Sequence, residues 1–499
     1  MSFTTDTPLE LTVGENGKQS KFTLRDDVLH VKRTGEKKWA NIQAPLRHVV
    51  WAELSNDTLE VSLLAKRRSR TPGGSKSLAL VHLTGKIKEE ERQPASKFTE
   101  ALMQAAYQGI KPPRRLKIFV NPHSGPGKAV GVFKKRIEPL FRAARCITDV
   151  TFTTHAGHAR EIVKTLPLEE YDVIVAMSGD GLIHEILNGF AEHANPVSAL
   201  RTPIAPIPTG SGNGLALNLL GIEEGCDVSA AALNAAKGRP MTIDLFSVTH
   251  KDSRVFSFMS QCVGLMSELD LGTENMRFLG NTRFIVGYIR GIVKHRACPI
   301  KLQIKVAESD KSAMLRALDS ARQQFSVSSS VDTSTLVTAP EGNAKSKPQN
   351  GDSSETLPDL KYRTVNPTEE DGWITFDQPV SYLYAGKGPY VGKDLMQFPV
   401  SLPNDGYIDV VVQEQIGRGE LLKAMDGAEV GKAYFMNSQH YFKAEAYRVI
   451  PHNDSSWLSV DGEKYPFEPF EVEVHKGLAT LLSPYGYYKA DTFEIPSSE

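Results

Sequence analysis

A single carboxylate, Asp180, stands between two glycines in the run Ser178-Gly179-Asp180-Gly181-Leu182-Ile183-His184-Glu185, directly after the apolar stretch 171–177. Glycines at a strand-to-helix turn let backbone come close to an anion, because they carry no side chain and tolerate positive φ. The helix that follows points its positive end at that anion. A phosphate suits such a turn, and Asp180 is then placed to accept a proton rather than to hold phosphate. Two further loops share this character: Asn121-Pro122-His123-Ser124-Gly125-Pro126-Gly127-Lys128 and Pro208-Thr209-Gly210-Ser211-Gly212-Asn213-Gly214. The P-loop pattern fails, since the glycines of the first loop lie too close together and Ala129 replaces the required Ser or Thr. The dinucleotide fingerprint fails for want of a third glycine at the right offset.

The elements around these loops must place them together. Apolar runs at 116–120, 149–153, 172–177 and 204–207 are each followed by a loop and a helical pattern. That alternation predicts an α/β fold with a parallel, doubly wound sheet, whose ligands sit at the carboxyl ends of the strands. All three glycine loops fall on that edge. From about residue 241 the runs become strand-like again and predict a β-rich second lobe, interrupted at about 309–368 by a segment rich in Ser, Thr, Asn, Lys and Pro. So few apolar residues cannot bury enough surface to order a chain, and the segment reads as a disordered insertion. Before residue 95 short alternating runs predict strands, and the period changes over 94–109, where Phe98, Leu102, Ala105 and Ala106 share a helical face. Strands capped by one helix resemble a pleckstrin-homology-like module. Its basic loop Lys66-Arg67-Arg68-Ser69-Arg70 reads as a solvated hairpin tip, with anionic headgroups as the alternative contact. The expected domains are therefore a β-rich module at 1–110, an α/β lobe at 114–240 completed by 475–487, and a β-rich lobe at 241–474.

Composition narrows the partners. The 499 residues carry 58 basic and 59 acidic side chains, a net charge of −1, so no global field draws the chain to nucleic acid. The four cysteines lie far apart with no C-x-x-C pair, against a structural zinc site or a disulfide framework, and read as reduced, mostly buried thiols. No stretch reaches the roughly 18 apolar residues of a membrane span, and the first residues lack a charged and then apolar leader. The expected setting is cytoplasmic, with peripheral membrane contact. His155, His158 and His184 are too scattered for a metal site and read as packing or surface residues.

Taken in order, Asn121-Pro122 with Ser124-Gly125-Pro126-Gly127-Lys128, the Met177 to Glu185 block, Pro208-Thr209-Gly210-Ser211-Gly212-Asn213 and Val460-Asp461-Gly462-Glu463 resemble the blocks of the diacylglycerol kinase catalytic superfamily. The form Ser-Gly-Asp-Gly-Leu-x-His-Glu is most similar to sphingosine (sphingoid long-chain base) kinases. The resemblance covers roughly 114–300 and 371–485. It implies a nucleotide-binding α/β lobe, a β-sandwich lipid-binding lobe, and ATP with Mg2+ as cofactors. Carried onto matching positions, it implies Asp180 as general base and Asn121, Ser124, Gly125, Ser178, Gly179, Gly181, Gly210 and Ser211 around the nucleotide phosphates. Thr154 would lie nearer the adenosine. Glu185 would orient the phosphate-loop backbone, with a helix-surface carboxylate as the bland reading. Asp461, Gly462 and Glu463 would contact nucleotide, Asp461 also magnesium, where a plain hairpin is the alternative.

A second cluster, Ser267 to Arg283, resembles the segment in which sphingosine kinases meet the sphingoid amine. The resemblance implies Asp270 on the amine with Glu274 nearby, and Arg277 and Arg283 reaching the phosphates; solvated helix charge competes. A partly desolvated carboxylate would orient a cationic base and reject neutral diacylglycerol. Phe284, Ile285, Tyr288, Ile289 and Ile292 continue at helical spacing, as core or as a lid entering a bilayer. The reading is an ATP-dependent kinase making 1-phosphates from sphingosine, sphinganine or phytosphingosine. Its alternatives are a diacylglycerol or ceramide kinase and a catalytically silent lipid-binding scaffold.

Overall fold

A computed structural model describes residues 8–15, 18–35, 39–66, 77–251, 253–273, 276, 282–328, 356–363, 367–376, 378–453 and 456–496. The chain divides into two compact units, one built mainly from residues 1–114 and the other from residues 115–133, 148–319 and 356–499.

In the first unit, seven antiparallel strands form one sheet, in the order Asn41–Pro45, Val28–Arg33, Lys18–Arg25, Leu9–Glu15, Leu78–Lys86, Thr58–Lys66 and Val49–Ser55. The expected alternation is visible in Lys18–Arg25, where Phe22 and Leu24 are buried between exposed or half-buried neighbours. Helix Arg92–Ala106 closes the sheet by burying Ala95, Phe98, Leu102 and Ala106, with Phe98 6.4 Å from Phe22. The described architecture is β-rich with one capping helix. Residues 67–70 of the basic loop lie outside the described residues.

The second unit is organised on one sheet of fifteen described strands. Its first edge is Ile147–Phe152, followed by Arg115–Val120, Val173–Ser178 and Ile204–Pro208. Val173–Ser178 is buried at every position and pairs in parallel with both neighbours, as a doubly wound sheet requires. Strand Phe470–Ser483 comes next. It pairs in parallel with Ile204–Pro208 at Ile204 and Leu481, and antiparallel with Arg239–His250 and Gln439–Pro451. Beyond it the sheet is antiparallel through Ile408–Glu414, Val380–Gly386, Ser260–Gly264, Leu458–Val460 and Glu463–Tyr465. Branches at Phe470–Ser483 and Gln439–Pro451 bring layers face to face around Phe246, Val263, Ile304, Leu383 and Val410. The α/β half and the β-sandwich half thus share hydrogen bonds through one strand.

Part of the insertion differs from expectation. Lys311–Ser328 is a helix, because Met314 and Leu318, one turn apart, are buried in the cluster that holds Tyr434. Lys311 anchors its start, donating to the carbonyls of Met436 and Gln439, while the Tyr434 hydroxyl donates to the Lys311 carbonyl. A local apolar patch at helical spacing outweighs the polar average of the segment. At the far side, Glu473 accepts the backbone N–H groups of Lys361 and Tyr362, fixing residues 356–363 against the sheet. Residues 329–355 lie outside the described residues. None of the four cysteines is in a disulfide: Cys262 and Cys298 are buried, Cys146 is half-buried, and Cys226 is exposed, against the expectation that most are buried.

Candidate active site

The three glycine loops meet at the carboxyl edge of the parallel strands and touch through backbone. Asn121 donates its N–H to the Met177 carbonyl and its amide to Ser178 Oγ. Thr209 and Gly210 both donate to the Ser178 carbonyl, and Thr209 Oγ1 donates to Ser124 Oγ at 3.2 Å. A Cβ on Gly210 would lie 2.4 Å from Gly179 Cα, and one on Gly179 would lie 2.6 Å from the Gly212 carbonyl oxygen. These glycines are therefore required by the contact between loops, whether or not a phosphate is present. Gly125 adds a conformational reason, with φ +52° and no room for a Cβ beside the Thr209 carbonyl.

Asp180 is the first residue of helix Asp180–Ala191 and is buried. Its carboxylate accepts the N–H groups of Gly214 at 2.7 Å and Leu215 at 3.2 Å, the opening residues of helix Gly214–Glu224. One acid thus stands at the start of its own helix and caps a second. Burial pushes its pKa up from 3.8 to about 6; the two backbone hydrogen bonds oppose the shift, and the nearby negative charges of Asp461 and Asp270 add to it. The result is a carboxylate tuned close to neutrality, as a general base should be.

Asp180 and the three loops line a cavity of about 810 Å³ that continues into an apolar region containing Met266, Leu269, Tyr288, Met396 and Met425. Asp270, which ends helix Leu265–Asp270, also lines it. Its Oδ2 accepts from Ser459 Oγ at 2.6 Å. Arg283, buried, faces the same cavity and donates from Nη1 to the Thr273 carbonyl at 3.4 Å. A buried acid with three glycine loops on one side and an apolar channel on the other is thus set in one cavity.

The comparisons with known proteins agree with that layout. Residues 115–248 match the diacylglycerol kinase catalytic domain, and residues 10–108 match a domain of unknown function, DUF7493. Sphingoid long chain base kinase 4 of Schizosaccharomyces pombe is 29% identical over 474 residues, 93% of this chain and 93% of its own. Nearly the whole chain is thus similar to a sphingoid base kinase, and residues 115–248 match the diacylglycerol kinase catalytic domain. Sphingoid long chain base kinase 5 of Saccharomyces cerevisiae is 26% identical, covering 83% of this chain and 65% of its own length. Sphingosine kinase 1 of Arabidopsis thaliana is 26% identical, covering 74% and 76%.

Against this family pattern the structure brings together Asn121, Ser124, Gly125, Thr154, Ser178, Gly179, Asp180, Gly181, Glu185, Gly210, Ser211, Asp270, Arg283, Asp461, Gly462 and Glu463 on one cavity. Glu274 and Arg277 lie outside the described residues. Glu185 holds loop backbone, its carboxylate meeting the N–H groups of Gly157 and Ala159, and burial raises its pKa despite them. Thr154 is tied locally, through its N–H and hydroxyl, to His158 Nδ1 and His155 Nδ1.

The magnesium assignment of Asp461 needs correction. Its carboxylate is fully buried and already receives Ser257 Oγ, the N–H groups of Phe258, Met259 and Ser260, and His184 Nδ1. Five donors on two oxygens leave no lone pair for a cation. Asp461 instead locks a positive-φ Asp-Gly turn (φ +50° and +85°) onto the loop before Ser260–Gly264. His184, buried between Asp461 and the Tyr465 hydroxyl, belongs to the same lock. Of the turn, Glu463 is the acid beside the phosphate loops, its Oε1 2.7 Å from where a Gly181 Cβ would stand. Sequence reasoning missed Ser459, whose only signal is that it lies next to the Val-Asp-Gly-Glu block.

The apolar stripe on helix Thr282–Lys294 also divides. Tyr288 and Ile292 are buried, while Ile285, Val286, Ile289 and Val293 are exposed by 44% to 66%. Ile285 and Ile289 are thus not core, and Val286 and Val293 join them on an outward apolar face. Among the described residues no helix is long and apolar enough to cross a membrane.

Proposed function

We propose that this protein transfers the γ-phosphoryl group of ATP to the primary hydroxyl of sphingoid long-chain bases. The observation that carries this reading is the pairing of Asp180 and Asp270 in one cavity, with the glycine loops on one side and an apolar channel on the other. The lipid hydroxyl lies between Asp180 and the loops. As its oxygen attacks the γ-phosphorus in line, Asp180 takes the proton, the new P–O bond forms, the bond to the β-phosphate oxygen breaks, and ADP leaves. Backbone N–H groups at the loops and helix starts stabilise the spread negative charge. Asp270, oriented by Ser459, pairs with the ammonium beside the reacting hydroxyl, and Arg283 neutralises phosphate charge.

Among the described residues no group of three or more acids, histidines or cysteines forms a cage for a metal. Asp461 is saturated, so magnesium fits here as the partner of the ATP phosphates, supplied with the nucleotide, with Glu463 as the acid next to them. The exposed Ile285, Val286, Ile289 and Val293 support peripheral docking on a bilayer, where long-chain bases reside. A radiolabelled ATP assay against sphinganine, phytosphingosine, ceramide and diacylglycerol tests the whole reading. Label in the amine-bearing bases alone is the expected result; label in diacylglycerol or ceramide instead would overturn it.

A further inference from the structure

The apolar half of the cavity contains a polar island. Tyr382, Gln397 and Gln439 all line the cavity and are exposed by only 3%, 4% and 2%. Gln439 Nε2 donates to the Tyr382 hydroxyl at 3.1 Å and lies 3.5 Å from Gln413 Oε1. Gln397 turns its amide toward the same hydroxyl, but without the geometry of a full hydrogen bond, so its buried Nε2 is left unsatisfied. Leaving a buried amide N–H unbonded is costly, and an apolar residue of similar size would avoid that cost. A channel that only had to hold methylenes would gain nothing from it.

Register places the island relative to the headgroup. Cys262 pairs with Tyr384 on one side and with Ser459, the partner of Asp270, on the other. Tyr382 is two residues further along the same strand, opposite Gly264, and faces the same side of the sheet. Two strand residues span about 7 Å, a gap that the two carbon–carbon bonds between the amine and a 4-hydroxyl bridge once a hydrogen bond of about 2.8 Å is added at each end. Across the sheet, Tyr382, Gln413 and Gln439 lie in one row.

We propose that Tyr382, Gln397 and Gln439 form a hydroxyl-recognition station in the lipid channel. They select long-chain bases with an extra hydroxyl a short way beyond the amine, the 4-hydroxysphinganine class, over bases whose chain is plain hydrocarbon there. The inference rests on the sphingoid base kinase reading and names which member of that class the channel fits. Gln397 Nε2 donates to the chain hydroxyl, and the Tyr382 hydroxyl, which already accepts from Gln439, offers its own O–H to the same oxygen. A plain chain leaves the Gln397 amide unpaired, which is how a site built for a hydroxyl rejects the analogue without one.

The test compares kcat/KM for 4-hydroxysphinganine and sphinganine in the full-length protein, Gln397→Met and Tyr382→Phe. The wild-type protein should favour the hydroxylated base by about tenfold to a hundredfold, and Gln397→Met should bring that ratio close to one. Tyr382→Phe, which removes one oxygen and keeps the ring, should lower the same ratio and decides the matter if Gln397→Met does not fold. A wild-type ratio near one, or an equal fall for both bases in the variants, overturns the station while leaving the kinase reading intact. Failure of the wild-type protein to phosphorylate either base overturns both.

Discussion

At one end of the cavity three loops meet through atoms that every residue carries: Gly179, Gly210 and Gly125 leave no space for a Cβ against one another. At the other end Asp270, Ser459, Tyr382 and Gln397 meet from separate segments, and only their side chains do the work. The first end rests mainly on backbone contact, with Asn121, Ser124 and Thr209 adding side-chain bonds between the loops. The second should be tunable one residue at a time. Asp180 sits where the two ends join and is coupled to both, through the Gly214 and Leu215 N–H groups on one side and the charge of Asp270 on the other.

The largest expected effect is at that junction. Asp180→Asn should lower turnover by roughly 10² to 10⁴, the usual range for a positioned acid-base group, while ATP binding, measured by nucleotide titration, changes little. Unchanged turnover would remove Asp180 from the mechanism. Next comes the side-chain end: Asp270→Asn should raise KM for sphinganine on the order of 30-fold, the lower range for removing one partner of a desolvated charge pair, and leave KM for ATP nearly alone. Wild-type sphinganine kinetics in that variant would move the amine site elsewhere.

A pH profile links the two ends. Asp180 must be ionised to take a proton, and burial lifts its pKa from 3.8 to about 6. Turnover should therefore reach a plateau above about pH 6 and fall about tenfold per unit below it. Since the negative charge of Asp270 contributes to the lift, Asp270→Asn should shift that limb to lower pH; a limb that stays put would show that the two carboxylates do not sense one another. The stability effect has the opposite sign from that of a salt-bridged acid. Folded Asp180 holds its proton in a range where the unfolded chain has released it, so its contribution to stability is lost as pH rises from 3.8 toward 6. The smallest effect concerns the outward helix face: Ile289→Ser should weaken sedimentation with anionic vesicles severalfold and leave turnover in detergent unchanged. Equal vesicle binding would mean that this face does not meet lipid.

These contrasts explain what could be read from the chain. Asp180 and the glycine loops were legible because a tight turn at a strand end demands particular residue types within a few positions. Asp461 was misread because Val460-Asp461-Gly462-Glu463 announces a hairpin but carries no information about what the carboxylate meets. Its partners Ser257, Met259 and Ser260 lie some two hundred residues earlier. Tyr382 and Gln439 left no short-range signal, since strand register brings them into one row, and Gln397 reaches them from outside that sheet. The helix Lys311–Ser328 was hidden by the composition of the whole segment, where a short apolar patch at Met314, Leu315 and Leu318 was enough.

Strand Phe470–Ser483 bonds to Ile204–Pro208 on one flank and to Arg239–His250 and Gln439–Pro451 on the others. During synthesis, therefore, the parallel strands must wait, with one edge open, until residues near 480 leave the ribosome. A message truncated before residue 470 should yield not a smaller working kinase but a polypeptide with an exposed, apolar strand edge, a substrate for chaperones and proteases.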